Sequence, residues 1–331
     1  MSCVDGNGRL PIGVLLPTRN SMPWLERHVK GLNAWLHRVE QVVVVDSQST
    51  DGTVEYLAKH ISHPSMKILQ HPPGLYNSWN FGIQNIDSDW LYVATVGDRI
   101  VESGIEKLYA GCLLHGLDVA ISAPVFISAS GDEVDKVWPV HRYIKCAGKF
   151  AGGHRMAAAE VFLWNTLFIP GSLMGSSASN LYRTAYMKAH PFRTELGHAG
   201  DIAWGIENAF SARWGVVSNC FSEFLLHEPV SRTPKGAALE IKETLFALSR
   251  QVFQREQGVN IPMLAKCGDQ LSGYWDAAGK HLQVKKKCFF PINGKKVSYL
   301  NFRLWCCRLQ QGVYSRAKVS YRDKLLEKLY S

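Results

Sequence analysis

No stretch of this 331-residue chain approaches the ~18 consecutive apolar residues that a membrane-spanning helix requires. The eight cysteines never fall in a Cys-x-x-Cys spacing, which indicates neither a zinc knuckle nor a disulfide framework. Met1 to Asp5 lacks the charged start and apolar stretch of a secretion signal. No Gly-x-Gly-x-x-Gly follows an apolar run and no Walker loop occurs, which disfavours NAD or ATP held by the usual phosphate loops. Gly6-Asn7-Gly8 precedes the first apolar run and reads as a flexible lead-in. Internal repeats and low-complexity tracts are missing too. What is present is ordinary globular chemistry, with 46% hydrophobic and 20% charged residues, and this excludes disorder, collagen-like repeats and long coiled coils. The chain reads as soluble and cytosolic.

Net positive charge is confined to one end. Residues 281–331 hold twelve Lys or Arg against Asp323 and Glu327, a net of +10 within a chain total of +9. The rest of the chain is therefore close to neutral, which argues against a nucleic-acid-binding surface. A basic tail with Tyr299, Phe302, Trp305, Leu309 and Val313 suits an anionic membrane surface. The competing reading is a solvated helix packed by its apolar face on the rest of the protein. Cys306 and Cys307 read as buried spectators.

The first hundred residues alternate strand and helix signals. Ile12 to Leu16 is a short apolar run ended by Pro17, and Val42 to Val45 is four valines, a strand buried on both faces. Met66–Leu69 and Trp90–Ala94 are further strands. Helical spacing appears over 22–36, after Ser49-Thr50-Asp51, and over 75–86. This order predicts a parallel, doubly wound α/β sheet. Further on, a turn at Ser130-Gly131-Asp132 joins two strands, and a helix is expected over 201–214. The stretch 148–180, rich in Gly, Ala and Ser, reads as a mobile or ligand-shaping loop.

In open α/β sheets ligands bind at the carboxyl ends of the strands. Three such ends are polar here: Pro17-Thr18-Arg19-Asn20, Asp46 to Gly52, and Thr95-Val96-Gly97-Asp98. Val14 to Asn20, Val42 to Thr53, and Gly74 to Ile83, in that order, resemble three blocks shared by family 2 glycosyltransferases. The match is clear over 12–98 and looser to about 230; no family resemblance attaches to the last hundred residues.

The resemblance implies a GT-A fold over 10–230, Rossmann-like with a mostly parallel central sheet and flanking helices. A helical extension over 231–280 and a basic amphipathic segment over 281–331 follow. It also implies a nucleotide-diphosphate sugar donor and transfer with inversion to an acceptor hydroxyl on a glycan or lipid-linked acceptor. Pro17, Thr18, Asn20, Asp46, Ser49, Asn80 and Asp98 would bind the nucleotide sugar. Asp201, at the expected position before a helix, would be the base that takes the acceptor proton. Asp98 and His227 would hold a divalent cation, Mn or Mg, although the expected acidic pair is reduced here to one Asp. Each has a plainer reading: Asp46 and Asp98 as turn acids, Asp201 as a helix cap, His227 as structural. Glu195 and Glu207 stand behind Asp201, and His198 lies close to it in sequence. The implied setting is cell-surface polysaccharide or glycolipid assembly, cytoplasmic and at the inner membrane face. The rival is a non-catalytic nucleotide-sugar-binding scaffold of the same fold. A nucleotidyltransferase would need a Gly-rich basic loop after the first strand, which Pro17 to Asn20 is not.

Overall fold

The computed structural model describes residues 8–148, 153–226, 235–257, 262–289 and 297–330. The opening alternation is β1 (Leu10–Thr18), α1 (Met22–Asn33), β2 (Val39–Asp46), α2 (Thr53–His60), β3 (Met66–Gln70), α3 (Leu75–Gln84) and β4 (Trp90–Val93). Then come β5 (Arg99–Ile100), α4 (Glu102–His115), β6 (Val119–Ile121), β7 (Val125–Ile127), β8 (Glu133–Val134) and α5 (Pro139–Ala147). The second half holds β9 (His154–Arg155), α6 (Ala158–Leu167), β10 (Leu181–Arg183), α7 (Thr184–Ala189), α8 (Gly200–Glu207), β11 (Trp214–Val216) and β12 (Ser222–Leu225). Three long helices close the chain: α9 (Lys235–Gln257), α10 (Pro262–Phe289) and α11 (Val297–Tyr330).

The main sheet has the order β3-β2-β1-β4-β10-β6-β11-β9. β3, β2, β1 and β4 are parallel, as are β6 and β11, while β10 and β9 run against their neighbours. The expected mostly parallel sheet with flanking helices is therefore present. The valine run shows why the sheet is covered on both faces. Val43 and Val45 join the core beneath α3 and α6, while Val42 and Val44 join the core beneath α1 and α4. A smaller sheet, β5-β12-β7-β8, lies beside it and contains the hairpin that the Ser130 turn predicts.

Several expectations need correction. Pro17 does not end the first strand, because a proline without an N–H is tolerated there and the register continues to Thr18 opposite Asp46. The N-cap of α2 is Gly52, at φ +88°, while the Asp51 carboxylate accepts from the backbone N–H groups of Met22 and Thr53 and so ties the starts of α1 and α2 together. The helix expected over 201–214 stops at Glu207, since Trp214 is needed in β11. The stretch 148–180 is not one loop. Within it α6 buries Val161, Phe162, Leu163, Trp164 and Leu167 completely or nearly so, and only the segment after it shapes a pocket. Residues 149–152 lie outside the described residues.

The charge boundary at 281 falls inside α10. α11 packs along α10 and reaches the sheet domain at its end, where Leu325 is fully buried and the Tyr330 hydroxyl accepts from Trp164 Nε1 at 2.9 Å. Leu309 and Val313 stay exposed. The side chains of Phe302, Trp305, Cys306 and Cys307 lie outside the described residues. Among the described residues no helix is long and apolar enough to cross a membrane.

Candidate functional site

The ends of β1, β2 and β4 meet as the strand order requires. Asp46 is fully buried beneath the first two loops. It accepts from Thr18 Oγ1 at 3.2 Å and from the Ser49 N–H at 2.9 Å, and the Ser49 hydroxyl also donates to it. Ser49 Oγ in turn accepts from the Asn20 N–H at 2.8 Å, and Asn20 Oδ1 accepts from the Thr50 N–H at 2.9 Å. Residues 18–20 and 46–50 thus form one network, with Asn20 exposed at its rim. The Ser47 and Ser78 hydroxyls, 2.7 Å apart, join this network to α3.

Beside it lies a cavity of about 250 Å³ that holds both candidate acids, Asp98 and Asp201. Its walls come from Tyr76 and Trp79 of α3, the segment Met174–Ser177, Tyr182, Phe192 and Phe224. Asp98 is only 5% exposed. Oδ2 accepts from Ser176 Oγ at 2.8 Å and Oδ1 from the Leu225 N–H at 3.0 Å. Burial pushes its carboxyl up to about 7, against the pull of those two hydrogen bonds. The Asp98 carbonyl accepts from Nδ1 of His28, a ring that burial keeps neutral with a value lowered to about 4. Asp98 therefore knots the β4 loop, the Ser176 segment and β12 together.

Asp201 sits in the first turn of α8, where the Ile202 N–H donates to its Oδ1 at 2.8 Å. Burial pushes it up to about 6, while hydrogen bonds from Ser172 and Tyr76 pull the other way. Gly200 makes this approach possible: a Cβ there would stand 2.5 Å from the Arg193 carbonyl and 2.6 Å from the Tyr76 ring. The two other acids do not share the cavity. Glu207 is ion-paired with Arg193, and Glu195 is an exposed partner of the same guanidinium. His198 lines the cavity and is exposed.

Asn80, expected as a ligand to the nucleotide sugar, bonds the backbone of Phe192. Its amide donates to the Phe192 carbonyl at 2.8 Å and accepts from the Phe192 N–H at 3.0 Å. It thereby fixes Phe192, whose ring stacks on Tyr76 at 4.7 Å in the cavity wall. Tyr76, Trp79, Ser172, Ser176, Tyr182 and Phe192 were not foreseen as site residues. Tyr76 and Trp79 lie within the third motif block, but aromatic residues at helical spacing read as core. Trp79 Nε1 is a buried donor without a partner in that wall. Nothing in the sequence marks Ser172 or Ser176.

The residues described do not assemble a cation site. Both Asp98 oxygens are engaged by protein donors, and among the described residues no group of three His, Cys, Asp or Glu is placed to hold a metal. His227 lies outside the described residues.

Residues 13–176 match the family model described as glycosyl transferase family 2, and the resemblance carried by the three motif blocks is borne out. Similar solved structures include residues 1–349 of S. aureus TarS in complex with UDP-GlcNAc. That likeness has 17% identity and a TM-score of 0.56, over 95% of this chain and 92% of that one. The same fragment in complex with UDP gives 16% identity and a TM-score of 0.52, over 95% and 91% of the two chains. At these identities the likeness is one of fold, GT-A-like, and its coverage takes in the C-terminal helices for which the sequence offered no resemblance. No curated protein matches the chain.

Proposed function

We propose that this family 2 domain transfers a sugar from a nucleotide-diphosphate sugar to an acceptor hydroxyl with inversion, in one direct displacement. The observation that carries the reading is the cavity at the carboxyl ends of the strands with Asp201 in its wall. A hydroxyl is a poor nucleophile until a base takes its proton as the bond to the anomeric carbon forms. Asp201, with its value raised to about 6, is mostly ionised at neutral pH and yet basic enough for that task. Tyr76 and Ser172 hold the carboxylate in place, and aromatic side chains line the cavity beside it.

The nucleotide is assigned to the loop network of Pro17, Thr18, Asn20, Asp46 and Ser49. There Asp46 acts from beneath by fixing the loop, and Asn20 and the loop backbone offer the exposed groups. The UDP and UDP-GlcNAc complexes of the structural neighbours support a UDP-sugar donor. For Mn or Mg, expected at Asp98 and His227, the described residues do not form a site: both Asp98 oxygens are taken by protein donors. A lipid-linked or glycan acceptor in cell-surface polysaccharide or glycolipid assembly, at the inner membrane face, is the setting that the basic C-terminal helices favour.

Thermal unfolding with a panel of UDP- and GDP-sugars, each with and without Mn²⁺, tests the donor. A ligand that binds the folded state raises its stability by mass action, on the order of 2.7 kcal/mol at a hundred times its Kd. A saturable rise with one UDP-sugar is expected, followed on incubation by slow UDP release as water takes the sugar in place of the acceptor. Binding without UDP release would favour the scaffold reading, and no rise with any donor would refute the assignment.

A further inference from the structure

A groove on the β7–β8 hairpin backs onto the donor cavity. Its volume of about 510 Å³ is about twice that of the cavity holding Asp201, and lies within the ~300–1,000 Å³ usual for small-molecule sites. The buried ring of Phe126 forms its floor. Val125 and Val137, 40% and 49% exposed, supply apolar sides, and Glu133, Asp135 and Lys136 a polar rim.

The groove is built in advance of any ligand. β8 pairs antiparallel with β7, which sets Val134 opposite Phe126 and Glu133 opposite Ile127. In the turn, the Ser128 N–H donates to the Asp132 carbonyl at 2.8 Å and the Ser130 hydroxyl to the Asp132 carboxylate at 2.6 Å. His141 of α5 stacks on Phe126, with ring centres 5.5 Å apart. Its Nδ1 accepts from the Trp138 N–H at 3.2 Å, so Nε2 carries the proton and donates to the Pro124 carbonyl at 2.9 Å. The rim residues, by contrast, are free to meet a ligand. Glu133 and Asp135 are exposed, and among the described residues neither side chain has an ion pair or hydrogen bond. Lys136 lies over the Phe126 ring at 5.4 Å and pairs with no carboxylate among the described residues.

One aromatic layer separates this groove from the donor cavity. Phe224 lines the cavity and stands beside Phe126 in the register of β12 with β7. Its ring centre is 5.8 Å from that of Phe126 and 4.6 Å from that of Trp138. Trp138 also abuts Gly175 of the cavity wall, where a Cβ would stand 3.0 Å from its Cε3. The chemistry of the groove fits a saccharide. A sugar presents apolar C–H faces to the valines and a ring of hydroxyls to the carboxylates and the ammonium. Two carboxylates against one ammonium repel a polyanion. β8 is an edge strand of 2 residues, too short to add an extended peptide.

We propose that this groove binds the acceptor as a neutral glycan chain, whose terminal sugar crosses the edge formed by Phe224 and Trp138 and brings its hydroxyl to Asp201. The inference rests on the sugar transfer proposed above and names the acceptor class for it.

The test uses the full chain and two variants, Glu133→Gln/Asp135→Asn and Val137→Asp, whose exposed positions predict melting temperatures within about 2 °C of wild type. Binding is measured to immobilised neutral tetrasaccharides of glucose, galactose, mannose and N-acetylglucosamine, beside a phosphate-bearing glycan polymer. Wild type is expected to bind at least one neutral tetrasaccharide saturably. The double variant is expected to bind it about tenfold more weakly, the loss typical of one charged hydrogen bond, and Val137→Asp to bind it more weakly too. The same tetrasaccharide should raise wild-type UDP release above the rate into water. No neutral tetrasaccharide bound, equal binding by all three proteins, or preference for the phosphate-bearing polymer would overturn the groove. So would a bound tetrasaccharide that leaves the rate into water unchanged. Absence of any UDP release from wild type would instead strike the transfer reading, which the binding measurement does not need.

Discussion

Asp98 and Asp201 share a cavity but answer to different demands. Asp98 is a buried acid with two protein donors, and its raised value has a consequence for stability. A carboxyl whose folded value lies above its ordinary 3.8 binds its proton more tightly in the folded state. Its contribution is complete below that ordinary value and is lost as pH rises through about 7. Asp98→Asn keeps the acceptor for the Leu225 N–H, offers Ser176 Oγ a donor in place of an acceptor, and removes the buried charge. Relative to wild type, its Tm at pH 8 is expected to gain at least about 2 °C over the difference seen at pH 4.5. An equal offset at both pH values would mean that the charge carries no burial penalty. Much of this chemistry was legible. Asp46 and Asp98 stood out at the polar ends of strands, and Asp201 through the family resemblance. What was hidden was how each is used, because whether a carboxylate faces a ligand or a serine depends on residues more than seventy positions away, as Ser176 is from Asp98.

At the scale of elements, the alternation of strands and helices was readable because apolar runs and their polar ends carry it. The valines of β2, split between two cores, are the clearest case. α6 was not readable. It is buried all round, so it lacks the amphipathic stripe that marks a surface helix, and its Gly- and Ser-rich flanks disguised it as loop. Close packing of α3 on the sheet depends on Gly82, where a Cβ would stand 2.3 Å from Leu15 Cδ1 and 3.0 Å from Val45 Cγ2. Gly82→Ala is expected to cost about 1–3 kcal/mol in urea unfolding through overpacking, despite the better helix propensity of alanine. Since α3 also supplies Tyr76 and Trp79, donor binding should weaken with it. A variant as stable as wild type would show that the contact relaxes freely.

Across the whole molecule, the basic C-terminal region is a packed part of the structure at its far end. The charge count placed a boundary at 281, but helix continuity and burial do not follow net charge, and α10 runs straight through it. Tyr330 supplies the acceptor for the fully buried Trp164. Tyr330→Phe leaves that indole N–H unpaired and should lower the unfolding free energy by about 1–3 kcal/mol. An unchanged denaturation midpoint would mean that the last turn of α11 does not hold to the sheet domain in solution.

In the proposed reaction Asp201 is the base of a sugar transfer carried out in this cavity. UDP release from the donor found in the thermal panel, with water as the attacking hydroxyl, tests it, comparing wild type with Asp201→Asn from pH 5 to pH 8. Wild-type turnover should rise with pH through about 6, as the carboxylate loses its proton. Asp201→Asn should bind the donor as tightly as wild type and turn it over on the order of 10² to 10⁴ times more slowly, with no rise near that pH. Wild-type turnover in Asp201→Asn, with the same pH profile, would contradict the claim.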